Sequence, residues 1–158
     1  MSTKTEGLAD ACEVWFYHLE RSGLDQVLPE LLEKTLARGW RASVRCSDMA
    51  GLEHLDDWLW AYREDSFLPH GPAGEDEARQ PILLTTGLDN ANRAQALFLV
   101  HGAAPGDLSG YERCILIFDG RDEAALAAAR GQWKTFKAAG RSMTYWSQSS
   151  ERGWERKA

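Results

Sequence analysis

The sequence predicts one α/β domain, a mainly parallel sheet with helices on both faces. Short apolar runs rich in aromatic and β-branched residues alternate with segments whose apolar residues recur every three to four positions. That order, strand, helix, strand, helix, strands, helix, is the one a helix-covered parallel sheet produces. The length of 158 residues is about that of one domain and allows about two-thirds of the unfolded surface to be buried. The longest uninterrupted apolar runs, Ala96 to Val100 and Cys114 to Phe118, fall far short of the roughly 18 residues of a membrane span. The alternation therefore belongs to a globular core.

Glu13 to Leu19 (EVWFYHL) reads as a buried strand. Leu24 to Gly39 changes period: Leu24, Val27, Leu28, Leu31, Leu32 and Leu36 follow helical spacing, and Gly39 is a natural stop. Pro29 is compatible with this helix only in its first turn, where no backbone N–H is needed. Arg41 to Cys46 has the alternating character of a second strand. Ser47 or Asp48 can cap a second helix with a core stripe of Leu52, Leu55, Leu59 and Tyr62. From Arg63 to Gln80 the chain is rich in Pro, Gly and acids and reads as a long loop. Strands are expected at Ile82 to Thr86, Ala96 to His101 and Arg113 to Phe118, with Gly102 to Gly110 as loop. Asp122 caps a last helix running to about Ala139, and Gly140 stops it. Residues 1–146 thus form the domain, and 147–158 read as a polar, frayed tail.

The formal net charge of −6 argues against general nucleic-acid binding, which needs a basic surface. The sum hides an asymmetry: residues 1–120 carry 10 Lys and Arg against 20 Asp and Glu, while residues 121–158 carry 8 against 4. A local anionic partner fits this better than a long polyanion. Cys12, Cys46 and Cys114 are odd in number and far apart, which argues against a disulfide framework and a zinc site and points to a reducing cytoplasm. The N-terminus, Met1 to Glu6, does not read as a secretory signal.

Catalytic motifs are missing where the fold invites them. The turn after the first strand, LERSG, has no glycine fingerprint for a dinucleotide, and no phosphate loop or nucleophile elbow occurs. CILIFD, ending at Asp119, resembles a magnesium-holding strand end, but a simple strand cap gives the same pattern. His18, His54, His70 and His101 form no i, i+4 pair that would specify a metal. A nucleotide-dependent enzyme would have to use the strand ends around Gly102 and Asp119, and it stays open as the alternative. Neither a cofactor nor a metal is called for.

Aromatic placement is more informative. At about 100° per residue, Trp60 falls about 80° outside the arc of Leu52, Leu55 and Leu59, as either a lid on the core or an interface anchor. Phe67 is an aromatic in an otherwise charged and Pro/Gly-rich loop. On the last helix, Leu126, Ala129, Trp133 and Phe136 share an arc of about 80°, and Arg130, Lys134, Lys137 and Arg141 lie within about 60° beside it. A seam of this kind suits a ligand with one carboxylate and one apolar group, although basic stems snorkelling past a core stripe give the same pattern.

Several segments together resemble the chi subunit family of bacterial DNA polymerase III, clamp-loader accessory proteins. They are WFYHL, LARGWRASVRC, LDDWLW, SFLPHGPAGE (Ser66 to Glu75) and ARGQWKTFKAAG (Ala129 to Gly140). The resemblance implies a nucleotide-binding-like α/β fold without catalysis. It also implies binding of the acidic C-terminal tail of single-stranded-DNA-binding protein, which ends in a Phe carboxylate. By residue match the tail site falls on Arg130, Trp133 and Lys134, with Gly140 near the pocket, and Lys137 and Arg141 extend its basic stripe. Trp60 and Phe67 match positions that meet a psi subunit or a repair helicase. The chain past Trp146 is longer than in the family's best-known form. The expected protein is a cytoplasmic adaptor between clamp loader and coated single strands, without strong direct DNA binding and without membrane attachment.

Overall fold

The structure is a computed structural model that describes residues 12–61, 70–72, 80–148 and 153–157. Eight strands form one sheet: β1 (Glu13–Leu19), β2 (Ala42–Arg45), β3 (His70–Pro72), β4 (Ile82–Thr85), β5 (Ala96–Leu99), β6 (Arg113–Asp119), β7 (Met143–Gln148) and β8 (Trp154–Arg156). Among the described residues three helices accompany them: α1 (Leu24–Ala37), α2 (Met49–Ala61) and α3 (Glu123–Ala138). The order is β3-β4-β2-β5-β6-β1-β7-β8, parallel throughout except for the antiparallel β7–β8 pair at one edge. The expected α/β class, mainly parallel with helices on both faces, is the one observed.

Strand residues alternate between two cores because successive side chains point to opposite sides of a sheet. Tyr17, Leu19, Val44, Phe98, Ile115 and Ile117 face α1 and α2. Val14, Phe16, Leu97, Leu99, Cys114, Leu116 and Phe118 face α3. The chain leaves β1 toward β2 through α1 and leaves the adjacent β6 in the opposite direction, toward β7, through α3. The neighbouring carboxyl ends of β1 and β6 are therefore a topological switch point.

Four expectations need correction. Pro29 lies in the second turn of α1, is buried, and the helix continues through it. A proline there cannot donate to the carbonyl of Asp25, and the indole Nε1 of Trp58 on α2 donates to that oxygen instead. Part of the expected loop, His70–Pro72, pairs with β4 as an edge strand. The chain past Met143 does not end the domain: β7 runs to Gln148 beside β1, and β8 pairs back on it, so the described part of the expected frayed tail belongs to the sheet. The strand expected over Ala96 to His101 ends at Leu99, and His101 turns away with φ of 54° followed by Gly102 at 76°.

The loop over 102–110 is mostly exposed but is pinned to the α3 face of the sheet by Ala103 and Leu108, which are buried in that core together with Tyr111 just past the loop. Arg45 on β2 lies beneath it, only 1% exposed. Its guanidinium donates to the carbonyls of Pro105 at 2.6 Å, Ala104 at 3.0 Å and Leu88 at 3.2 Å.

The three cysteines are free and buried. Burial pushes the Cys46 thiol up to about 12, with Asp48 adding to the effect, and burial raises Cys114 further still. Ellman's reagent is expected to titrate no thiol within minutes in the native protein and all three after unfolding. One rapidly reacting native thiol would contradict this packing.

Candidate partner-binding site

α3 forms because its ends are capped and one stripe is apolar. The Asp122 carboxylate accepts from the backbone N–H groups of Ala124 at 3.0 Å and Ala125 at 3.3 Å. At the other end Gly140, at φ of 77°, lets its own N–H reach the carbonyl of Lys137 and the N–H of Arg141 reach that of Phe136. Gly140 thus has a structural task whatever else it touches. Ala129 and Phe136 are buried against the sheet.

Trp133 lies half-buried at the edge of that stripe. Its ring meets Phe16 of β1 edge-on at 5.3 Å and Tyr145 of β7 edge-on at 5.6 Å, while Phe16 and Tyr145 stack at 6.1 Å across paired strands. Edge-to-face aromatic contacts of this kind hold ring orientation. The Tyr145 hydroxyl in turn lies 2.8 Å from His18 Nδ1. Burial holds that hydroxyl above the ordinary phenol range, opposed by the nearby charge of Arg130.

Arg130, Lys134 and Lys137 are exposed on the adjoining face of α3. Positions four apart on a helix are neighbours, so the first two can address one anionic group. Arg141 does not extend the stripe as its spacing suggests. Its guanidinium lies over the Phe136 ring at 5.9 Å and reaches the Cys12 carbonyl at 3.4 Å, on the core side of the helix. The helix has already ended at Ala138, so the 100° rule no longer places that side chain.

Trp60 belongs to the last turn of α2, where its backbone alone is described, and Phe67 lies outside the described residues. The structure brings Arg130, Trp133, Lys134 and Lys137 together and says nothing that joins Trp60 to Phe67. Sequence reasoning missed Phe16, His18 and Tyr145 as parts of the site. No local pattern marks His18 or Tyr145, because only strand pairing brings them to the Trp133 side of the sheet.

The strand-end crevice near Gly102 and Asp119 exists, with a volume of ≈ 600 Å³. It suits a nucleotide poorly. Asp25, Asp119 and Asp122 line it, and Asp122 already occupies the N-terminus of α3 where a phosphate would dock. Asp119 accepts from Arg121, whose hydrogen bonds hold that carboxyl below the usual range, so it stays charged.

The family model described as DNA polymerase III chi subunit, HolC, matches residues 12–144. The chain belongs to the DNA polymerase III chi subunit family. The DNA polymerase III subunit chi of Pseudomonas aeruginosa is 31% identical over 116 residues, which cover 73% of this chain and 80% of that protein. The probable subunit chi of Rickettsia prowazekii is 29% identical over 94 residues, 59% of this chain and 55% of that protein. The Escherichia coli subunit chi is 22% identical over 120 residues, 75% and 82% of the two chains. The family is an accessory subunit of the polymerase in DNA replication. The basic stripe of this chi-family chain lies within the matched span, and Tyr145 stands one residue past it. Among the described residues no helix is long and apolar enough to cross a membrane.

The packing behind Trp133 can be tested through a glycine. A Cβ on Gly120 would stand 1.8 Å from His18 Nε2, so Gly120→Ala must displace His18 and its bond to Tyr145. The expected cost is about 1–3 kcal/mol in urea unfolding. In a His18→Ala background the penalty should largely vanish, and an undiminished penalty there would mean that the clash lies elsewhere.

Proposed function

We propose that this chi-family protein is a non-catalytic, cytoplasmic adaptor that connects the polymerase III clamp loader to protein-coated single-stranded DNA. It does so by taking the acidic C-terminal tail of single-stranded-DNA-binding protein on the exposed face of α3. The observation that carries this reading is the seam itself: Arg130, Lys134 and Lys137 are exposed on one face beside a Trp133 ring steadied by Phe16 and Tyr145. A terminal Phe can lie against Trp133 while its carboxylate meets Arg130 and Lys134, and the upstream acids of the tail lie along Lys137. Trp60 and Phe67 are proposed, on the family resemblance, as a separate surface for a psi subunit or a repair helicase. Recruitment to DNA runs through protein, since the acidic body repels phosphate.

Capture from lysate tests the reading. The immobilised chain is expected to retain single-stranded-DNA-binding protein together with clamp-loader subunits. It should lose the former, and keep the latter, when the binding protein lacks its last residues. Equal capture of intact and truncated binding protein would overturn the proposal.

A further inference from the structure

On the sheet face opposite Trp133, between the C-terminal half of α1 and strand β8, lies a groove of ≈ 390 Å³. Four of the seven tryptophans, Trp15, Trp40, Trp146 and Trp154, wall it, and Phe98 and Ile115 contribute apolar floor. Among the described residues three cations, Lys34, Arg38 and Arg113, line it and no carboxylate does, in a chain of net charge −6. Glu13 approaches Arg113 Nε at 3.4 Å. Lys34 and Arg38 form no ion pair among the described residues.

Two of the cations, Arg38 and Arg113, are held in place by the rings. The Arg113 guanidinium stands 3.8 Å from the centre of Trp15 and 5.2 Å from that of Trp40, and Arg38 stands 4.1 Å from the centre of Trp40. A guanidinium stacked on a ring keeps its in-plane N–H donors for a carboxylate, at little further loss of side-chain freedom. The Trp146 Nε1 is a buried donor with no hydrogen-bond partner among the described residues, a cost that a bound acceptor would offset.

We infer that this groove is a second docking site, for an acidic segment of a partner protein that carries an apolar side chain. The apolar side chain fills the floor between the tryptophans, and its neighbouring carboxylates meet Arg38 and Lys34. Single-stranded nucleic acid fits less well. Base stacking needs free ring faces, and Trp15 and Trp40 already carry guanidinium groups. The inference does not depend on the α3 reading, because the two sites lie on opposite faces of the sheet and share no residue.

The test uses a fluorescein-labelled peptide of alternating aspartate and leucine, eight residues long, with an amidated C-terminus. Amidation removes the terminal carboxylate that the α3 site needs, so success or failure here is separable from success or failure there. Binding at about 10–100 μM is expected. The indole N–H signals of Trp15, Trp40, Trp146 and Trp154 should shift in a 15N-resolved spectrum while that of Trp133 stays. Lys34→Glu with Arg38→Glu, exposed positions in the last turn and at the C-terminal cap of α1, should weaken the peptide tenfold or more, whereas Arg130→Ala should leave it unchanged. The proposal fails if the double variant binds normally or if Trp133 alone responds. It also fails if a twelve-residue oligothymidine occupies the groove in preference to the peptide. A dimer in sedimentation that the double variant dissolves would assign the groove to a second copy of the chain, and this too overturns it.

Discussion

A peptide ending in a free Phe, preceded by aspartates, is expected to bind the chain with about micromolar affinity and to lose nearly all binding when the Phe is deleted. Burying a Phe ring contributes about 1.5–3 kcal/mol, and each charge-assisted hydrogen bond a similar amount, before the cost of ordering the peptide is subtracted. Arg130→Ala and Lys134→Ala should each weaken the complex about tenfold, since each removes one donor to the same carboxylate. Arg141→Ala should change affinity less than about threefold, because that guanidinium is turned to the Cys12 carbonyl and the Phe136 ring. Anisotropy titrations of the three variants decide the matter. Equal losses at Arg141 and Lys134 would place the anion further along the chain than the geometry of α3 allows. A peptide that binds as well without its Phe would leave α3 as a solvated basic face.

The second large effect concerns Arg45. Arg45→Ala is expected to destabilise the fold by about 3–5 kcal/mol, from a cavity in the sheet and from carbonyls at Leu88, Ala104 and Pro105 left without a donor. Arg45→Met fills most of the volume and restores none of the donors, so it should recover part of the loss. Urea unfolding monitored by tryptophan fluorescence gives both numbers. A change below about 1 kcal/mol for Arg45→Ala would mean that the loop over 102–110 is held by its apolar side chains alone.

Arg45 also shows where local patterns mislead. In Arg41 to Cys46 the alternation of polar and apolar residues reads as a strand with one wet face, yet all four residues of β2 are buried. The polar face meets a loop rather than water, and the arginine satisfies that loop's backbone. Pro29 misled in the opposite direction. A helix rule that is sound in isolation gives way when a neighbouring helix supplies the donor, here Trp58 to Asp25. Trp60 and Phe67 owe their assignment to the family resemblance and take nothing from the described side chains.

Periodicity alone determined the α/β class, the three helices with their core stripes apart from Tyr62, which lies outside the described residues, and the basic strip of Arg130, Lys134 and Lys137 beside Trp133, because these are set by neighbours a few positions apart. Capping followed from single residues: Asp122 starts α3 and Gly140 ends it. What the tertiary structure decided is everything that depends on which strand lies beside which. Parallel neighbours are joined by long crossovers, so a strand's partner leaves no trace in the residues next to it. β7 sits beside β1 although 127 positions separate His18 from Tyr145, and that adjacency makes Tyr145 part of the wall behind Trp133. The tryptophan groove has the same origin. Its lining comes from α1 and from strands as distant in the chain as β1 and β8, and only the closing of the sheet brings their rings and cations to one place.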